Sequence, residues 1–132
     1  MAGVFLENEH IRRADLLRFV ELRPFTEGWQ GLGLTDDDAL ALQIALMQRP
    51  KGFPVVQGTG GLRKIRFAPP SWRRGKSGAV RVGYAYLEQY GTVLLVIAYA
   101  KTEKDDLTQR EKKAIRQLLL RVEQEFARRV IR

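Results

Sequence analysis

Residues 79–101 read AVRVGYAYLEQYGTVLLVIAYAK, and this stretch contains the pattern that decides the fold. Its two apolar runs, 79–87 and 92–101, are rich in β-branched and aromatic residues and are typical of strands. The short link around Gln89-Tyr90-Gly91 predicts a hairpin, so the two strands are expected to be antiparallel neighbours. The run from Val93 to Ala100 indicates a buried strand and is too short to cross a membrane.

The elements on either side of this hairpin complete an α+β pattern. Upstream, strands are predicted at 62–67 and at 18–23, where Pro24 ends the first of them. Phe25 and Trp29 stand four apart on one face of a short helix. A second helix is expected to begin at Thr35, which caps the free amides ahead of three aspartates. Downstream, the sequence TQRE at 108–111 is a capping box before a long amphipathic helix.

The predicted architecture is therefore one α+β domain. We expect an antiparallel or mixed sheet of about four strands with helices packed on one face. The domain is predicted to cover residues 18–132, with residues 1–17 as an N-terminal extension of no assigned role. The length of 132 residues fits a single core.

Charge along the chain is uneven and indicates the kind of partner. Lys and Arg total 23 against 15 acidic residues, a net charge of +8. Residues 61–104 hold 9 basic and 2 acidic side chains, so most of the excess lies in the sheet region. A basic patch on a rigid sheet suits a polyanion such as RNA. A solvated surface or an acidic protein partner would produce the same bias.

Several kinds of catalytic site are disfavoured by the residue inventory. The chain has no cysteine, and its single histidine is His10 in the extension, so a histidine pair or a Ser-His-Asp triad is not expected. No metal-ligand spacing occurs, and the three aspartates from Asp36 to Asp38 are better explained as a helix cap. We expect no metal, no cofactor and no membrane association, and a cytoplasmic protein.

Cations on neighbouring strands remain as the candidate chemistry. Lys64 and Arg66 are two apart and share a face, while Arg63 points to the opposite face. Arg81 shares its face with the small residues Gly83 and Ala85, which are expected to leave room for a ligand above the sheet. The next strand adds Tyr99 and Lys101 on one face. The same alternation is also typical of the solvated face of a half-exposed strand.

This set of side chains is able to cleave RNA without histidine or metal. Guanidinium groups of Arg66 and Arg81 suit phosphate stabilisation. Lys64 is the first candidate for the base that takes the 2′-hydroxyl proton, because neighbouring positive charge favours a neutral lysine. Lys101 is a candidate acid or a further phosphate clamp, and Tyr99 is expected to stack on a base.

Three blocks carry a family resemblance: GTGGLRKIRF at 58–67, RGKSGAVRVGY at 74–84 and AYAKTEKDDLT at 98–108. In order and spacing they resemble the RelE superfamily of toxins, most closely its HigB-type branch, over roughly residues 18–125. The resemblance implies a RelE-like microbial ribonuclease-type fold and a toxin that enters the ribosomal A site and cuts messenger RNA there. It also implies 2′,3′-cyclic phosphate ends, a HigA-like helix-turn-helix antitoxin, and operator DNA bound only through the toxin–antitoxin complex.

The resemblance also assigns roles to residues. Lys64 and Arg66 match the family's paired strand cations, Arg81 its central phosphate-binding arginine, and Lys101 a basic residue at the end of the last strand. The binding surface for RNA and ribosome is expected to include Arg63, Arg73, Arg74, Lys76, Tyr99 and Lys104.

Two positions depart from the family pattern. Thr102 stands where an arginine is frequent, and Leu107 and Thr108 stand where a tyrosine is found. Lys104 or Tyr99 is a possible substitute, and the identity of the general acid and base stays open. The alternatives are a ParE-like inhibitor of DNA gyrase with the same fold, and a non-catalytic domain that binds RNA or the antitoxin.

Overall fold

The computed structural model of the protein describes residues 16–72, 80–101, 104 and 106–131. Residues 1–15 of the predicted extension lie outside this range, whereas Leu17 packs against the core. The helices and strands, in chain order, are β1 (Arg18–Glu21), α1 (Arg23–Gly31), α2 (Asp36–Gln48), β2 (Arg63–Phe67), β3 (Val80–Leu87), β4 (Thr92–Ala100) and α3 (Gln109–Ile131).

The strands form one mixed sheet in the order β1-β4-β3-β2. The predicted hairpin is confirmed: β3 and β4 are antiparallel, with Leu87 opposite Thr92. The turn between them is a single 3-10 turn that ends at Gly91, whose φ of 56° is in the left-handed region that favours glycine. β2 pairs antiparallel with β3, and β1 pairs parallel with β4. The predicted α+β class with a four-stranded sheet is therefore confirmed.

The helix α2 begins at the predicted cap. Thr35 Oγ1 accepts a hydrogen bond from the amide of Asp38 at 3.1 Å, and Asp38 Oδ2 accepts one from the amide of Thr35 at 2.9 Å. Asp38 is fully buried and also accepts hydrogen bonds from the Ser71 amide at 2.9 Å and the Ser71 hydroxyl at 2.6 Å. Burial opposes ionisation, but the hydrogen bonds from Ser71 and Thr35 outweigh it and lower the pKa of Asp38 below 3.8. Asp38 therefore has a structural role.

Helices cover both faces of the sheet. One core, which includes Phe25, Leu42 and Leu95, joins the sheet to α1 and α2. A second core on the other face, which includes Leu94 and Ile115, joins the sheet to α3. This second helical layer differs from the single helical face expected from the sequence. Its physical cause is β4, whose continuous apolar run presents large side chains to both sides and needs cover on each.

The helix α3 is anchored close to the candidate cations. Thr108 Oγ1 accepts a hydrogen bond from the Glu111 amide at 3.1 Å, and Glu111 Oε1 accepts one from the Thr108 amide at 2.8 Å, which confirms the predicted capping box. The predicted apolar stripe of α3 packs on the sheet through Ile115 and Leu119. No helix in the part of the chain described is long and apolar enough to span a bilayer.

Candidate active site

A row of three polar side chains crosses the sheet from its β2 edge to β4. Arg66 on β2 is the register partner of Arg81 on β3, and Arg81 is the partner of Tyr99 on β4. Directly opposed residues on antiparallel strands lie on the same face with Cβ atoms about 4.5–5.5 Å apart. We call Arg66, Arg81 and Tyr99 the cross-strand row. Lys64 lies on the same face one pair further along, opposite Gly83.

Exposure falls steeply along the cross-strand row. Arg66 is exposed, whereas Arg81 is only 4% exposed and Tyr99 only 5%. The face above Gly83 is filled, because a Cβ built there would lie 2.9 Å from Ile97 Cγ2 and 3.0 Å from Leu62 Cδ2. The expectation that small residues leave room for a ligand at Gly83 is therefore wrong: side chains from the two neighbouring segments occupy that room.

Two polar atoms in the buried part of the row lack a partner. Among the described residues, neither Arg81 Nη1 nor the Tyr99 hydroxyl makes a hydrogen bond. A buried donor without an acceptor costs about 1–3 kcal/mol, and more when it belongs to a charged group. The two residues are direct cross-strand neighbours. The fold therefore places two buried donors without acceptors on directly opposed residues of β3 and β4.

Tyr99 is enclosed by charged side chains. The Lys104 ammonium lies 5.2 Å from the centre of the Tyr99 ring. Burial raises the pKa of Tyr99 above 10.0; the carboxylates of Asp106 and Glu111 raise it further, and Arg81 opposes them. The Tyr99 hydroxyl therefore stays protonated at neutral pH and acts as a donor. With its ring buried and Lys104 over it, Tyr99 is not placed to stack on a base in this structure.

Lys104, Asp106 and Leu107 lie at the same end of the sheet, and we call these three residues the cover. Leu107 is buried with Tyr99 in the second core. Lys104 forms an ion pair with Glu111 of α3, and this hydrogen bond, together with that from the Thr108 amide, lowers the pKa of Glu111. Asp106 Oδ1 lies 3.8 Å from Lys64 Nζ.

A second lysine also approaches Asp106. Lys112 Nζ of α3 lies 4.0 Å from Asp106 Oδ2, and Asp106 is exposed. Two lysines, one on β2 and one on α3, thus hold one acidic side chain of the cover. At these distances and this exposure, each pair contributes no more than about 1 kcal/mol.

The other predicted residues divide into three groups. Lys101 is exposed and directly follows the last residue of β4, at the end of the sheet where the cross-strand row lies. Arg63 is on the opposite face, where its Nη1 donates to the carbonyls of Lys51 at 3.2 Å and Phe53 at 2.7 Å. Arg63 thus tethers the loop before β2 and is not brought to the cross-strand row. Arg73, Arg74, Lys76 and Thr102 lie outside the described residues.

Asp106 and Glu111 are the residues at this site that sequence reasoning did not select. Glu111 was recognised only as part of a helix cap, and its capping geometry places its second oxygen on Lys104. Asp106 carries no sequence signal, because its position depends on how the cover folds against Lys64 and Lys112. In the described part of the chain, no group of three or more His, Cys, Asp or Glu side chains is placed to hold a metal ion.

Two surface grooves of about 490 and 540 Å³ lie at the opposite end of the sheet. Both are lined by Gln89 and Tyr90 of the hairpin turn, whereas the cross-strand row lies near the start of β3 and the end of β4. These grooves therefore do not contribute to the site formed by Arg81 and Tyr99.

No model of a known protein family matches the chain. Assignment to the RelE type therefore stays a prediction from the three sequence blocks. The geometry of the cross-strand row stands independently of that resemblance.

Proposed function

We propose that the protein is the toxin of a type II toxin–antitoxin system, a ribosome-dependent endonuclease that cuts messenger RNA in the A site. The observation that carries the proposal is Arg81, a buried arginine with an unpartnered guanidinium nitrogen among the described residues. Lys64 and Arg66 lie on the same face of the adjacent strand. Cations aimed at a phosphate in a site of low dielectric are the main requirement for stabilising a pentavalent transition state.

The reaction needs three roles. A base takes the proton of the 2′-hydroxyl, which attacks the adjacent phosphorus and forms the 2′,3′-cyclic phosphate; an acid protonates the departing 5′-oxygen. Arg66 and Arg81 stabilise the phosphate, Lys64 is the candidate base, and Lys101 is the candidate acid or a further clamp. Lys104 joins this set if its ammonium group leaves Glu111 and binds the substrate instead.

The burial of Arg81 gives a reason for dependence on the ribosome. Because Arg81 is only 4% exposed, an mRNA phosphate reaches it only if side chains around it move. The ion pairs that Asp106 makes with Lys64 and Lys112 are weak, because Asp106 is exposed. Ribosomal contacts with the basic surface would supply the differential binding that favours an open state and would orient the message. We accordingly propose that naked RNA is cut poorly, and that the cytoplasmic partners are a HigA-like antitoxin, the ribosome and mRNA.

The same burial favours one alternative, a domain that binds RNA or its antitoxin without cutting. Such a domain would keep Arg81 permanently covered and would have no need of Lys64. The alternative predicts binding without strand scission, so a cleavage assay separates the two functions.

The test is primer extension on a defined message in a purified translation system. Arg81→Met keeps the buried volume and removes the charge. Arg129→Met is the matched control, because Arg129 lies beside Gln89 and Tyr90 at the far end of the sheet. We expect A-site cuts with ribosomes for wild type and for Arg129→Met, and none for Arg81→Met.

Three results would contradict the proposal. They are full cleavage by folded Arg81→Met, rapid cutting of naked RNA, and the absence of cuts from folded wild-type protein freed of any antitoxin. In the last case, ribosome binding without cuts would establish the non-catalytic alternative, and inhibition of DNA supercoiling would establish a ParE-like function.

A further inference from the structure

We infer that the Tyr99 hydroxyl is a second phosphate-binding donor beside Arg81. The two side chains bind non-bridging oxygens of one phosphate group. The inference deepens the proposed function and rests on it for the identity of the natural ligand, a phosphodiester of RNA. It replaces the expected role of Tyr99 as a stacking platform.

The first step is the pairing of two unused donors. Arg81 Nη1 and the Tyr99 hydroxyl are the buried side-chain polar atoms without a hydrogen-bond partner in the described part of the chain. They belong to residues directly opposite each other on β3 and β4, and both residues are at least 95% buried. A single buried polar group without a hydrogen-bond partner is rare. Two such donors on directly opposed residues indicate one shared acceptor.

The second step is that the neighbouring carboxylates do not serve as that acceptor. Both carboxylates lie near Tyr99, because Glu111 pairs with Lys104, which lies over the Tyr99 ring, and Asp106 precedes Leu107, which is buried with Tyr99. Glu111 instead accepts hydrogen bonds from Lys104 and from the Thr108 amide. Asp106 accepts one from the Leu107 amide at 2.8 Å and lies beside two lysines. Lysines and backbone amides thus engage both carboxylates, and the Arg81–Tyr99 pair is left for an external anion.

The third step is the chemistry of the donors. Guanidinium binds a tetrahedral oxyanion through two parallel N–H groups, and a neutral phenol adds an O–H donor of the kind that forms short bonds to charged oxygens. Burial keeps Tyr99 protonated, since its pKa is raised above 10.0. Arg66, directly opposite Arg81 at the β2 end of the row, is exposed and is the cation of the row that meets solvent.

The test uses inorganic phosphate as the probe and the full chain without ribosomes. Phosphate is titrated at constant ionic strength against chloride, which controls for non-specific attraction to a chain of net charge +8. Binding is followed by NMR through the side-chain resonances of ¹⁵N-arginine and ¹³C-tyrosine, assigned from the variants. Tyr99→Phe removes the donor. Tyr90→Phe is the matched control, because Tyr90 packs on Phe126 at 5.3 Å at the far end of the sheet.

We expect saturable shifts of Arg81 and Tyr99 in wild type, phosphate affinity at least about tenfold weaker in Tyr99→Phe, and unchanged affinity in Tyr90→Phe. Unchanged affinity in folded Tyr99→Phe, or no response of wild type to phosphate beyond that to chloride, would overturn the inference. Primer extension on the same proteins separates the two proposals. If phosphate binding requires Tyr99 but no mRNA is cleaved, the endonuclease proposal is wrong and the anion site is supported. Cleavage with normal phosphate affinity in Tyr99→Phe would sink the role of Tyr99 alone.

Discussion

Two buried tyrosines on opposite faces of the sheet provide a direct test of whether the Tyr99 hydroxyl is unsatisfied. Tyr84 faces the core of α1 and α2, is 0% exposed, and donates its hydroxyl to the Pro50 carbonyl at 2.8 Å. Tyr99 faces α3, is 5% exposed, and has no hydroxyl partner among the described residues. Tyr84→Phe and Tyr99→Phe remove the same atom from similar burial, so the difference between them isolates the hydrogen bond.

The expected changes in the free energy of unfolding follow from the hydrogen bonds that each hydroxyl makes. Tyr84→Phe loses one bond and leaves the Pro50 carbonyl without this donor, which lowers the free energy of unfolding by about 1 kcal/mol. Tyr99→Phe removes a hydroxyl whose desolvation is not compensated, which raises that free energy by about 1 kcal/mol. We therefore expect the two variants to differ by about 2 kcal/mol, with wild type between them.

Equilibrium urea unfolding in phosphate-free chloride buffer measures this difference, provided that the three proteins share one m-value. A loss of stability in Tyr99→Phe equal to that in Tyr84→Phe would refute the reasoning, because it would mean that the Tyr99 hydroxyl already has a partner in the free protein. Added phosphate provides a second comparison. At a concentration 100 times its dissociation constant, a ligand of the native state stabilises by about 2.7 kcal/mol, and we expect Tyr99→Phe to gain less than wild type.

Three further predictions concern the framework around the site. Asp38→Asn should destabilise the protein at neutral pH. Because the folded-state pKa of Asp38 is below 3.8, the stabilisation that its carboxylate provides is present above about pH 4 and is lost as the pH falls further. The free energy of urea unfolding should therefore depend less on pH in acid for the variant than for wild type. Gly83→Ala should lower stability by about 1–3 kcal/mol through collision with Ile97, whereas Gly31→Ala, which meets nothing within 4 Å, should not; thermal unfolding compares them. Thr108→Ala should lose about 1 kcal/mol with its helix cap, and circular dichroism melting would contradict this if the midpoint stayed unchanged.

Local signals in the sequence predicted the helix caps and the faces of β2, but the first strand, expected over 18–23, ends at Glu21 because α1 begins at Arg23 with Pro24 in its first turn. Thr35 and Thr108 cap their helices with side chains whose hydrogen-bond partners lie three residues away, so a short stretch of sequence is enough to predict where each helix begins. The two-residue period of strands likewise placed Lys64 and Arg66 on one face and Arg63 on the other, as the register shows.

What covers each face could not be predicted, because it depends on contacts between distant segments. The apolar stripe of α3 indicated that the helix packs on something, but the stripe is compatible with either face of the sheet. The eight-residue run from Val93 to Ala100 did contain the missing signal, since a strand apolar on both sides needs cover on both sides. Arg81 lies on the face that this second layer covers, since it is directly opposite Tyr99. An alternating strand pattern alone would leave Arg81 exposed to solvent.

The unpartnered Nη1 of Arg81 does not contribute to stability. A buried guanidinium with a free donor destabilises the native state by several kcal/mol relative to an apolar residue of similar volume. The surrounding fold is well satisfied, since neighbouring Glu111 and Thr108 close their hydrogen bonds reciprocally. In the described part of the chain, buried side-chain donors without a partner lie at the buried end of the cross-strand row, which is the pattern expected where stability is lost in favour of binding. An anion that reaches Arg81 and Tyr99 would give both donors an acceptor at once.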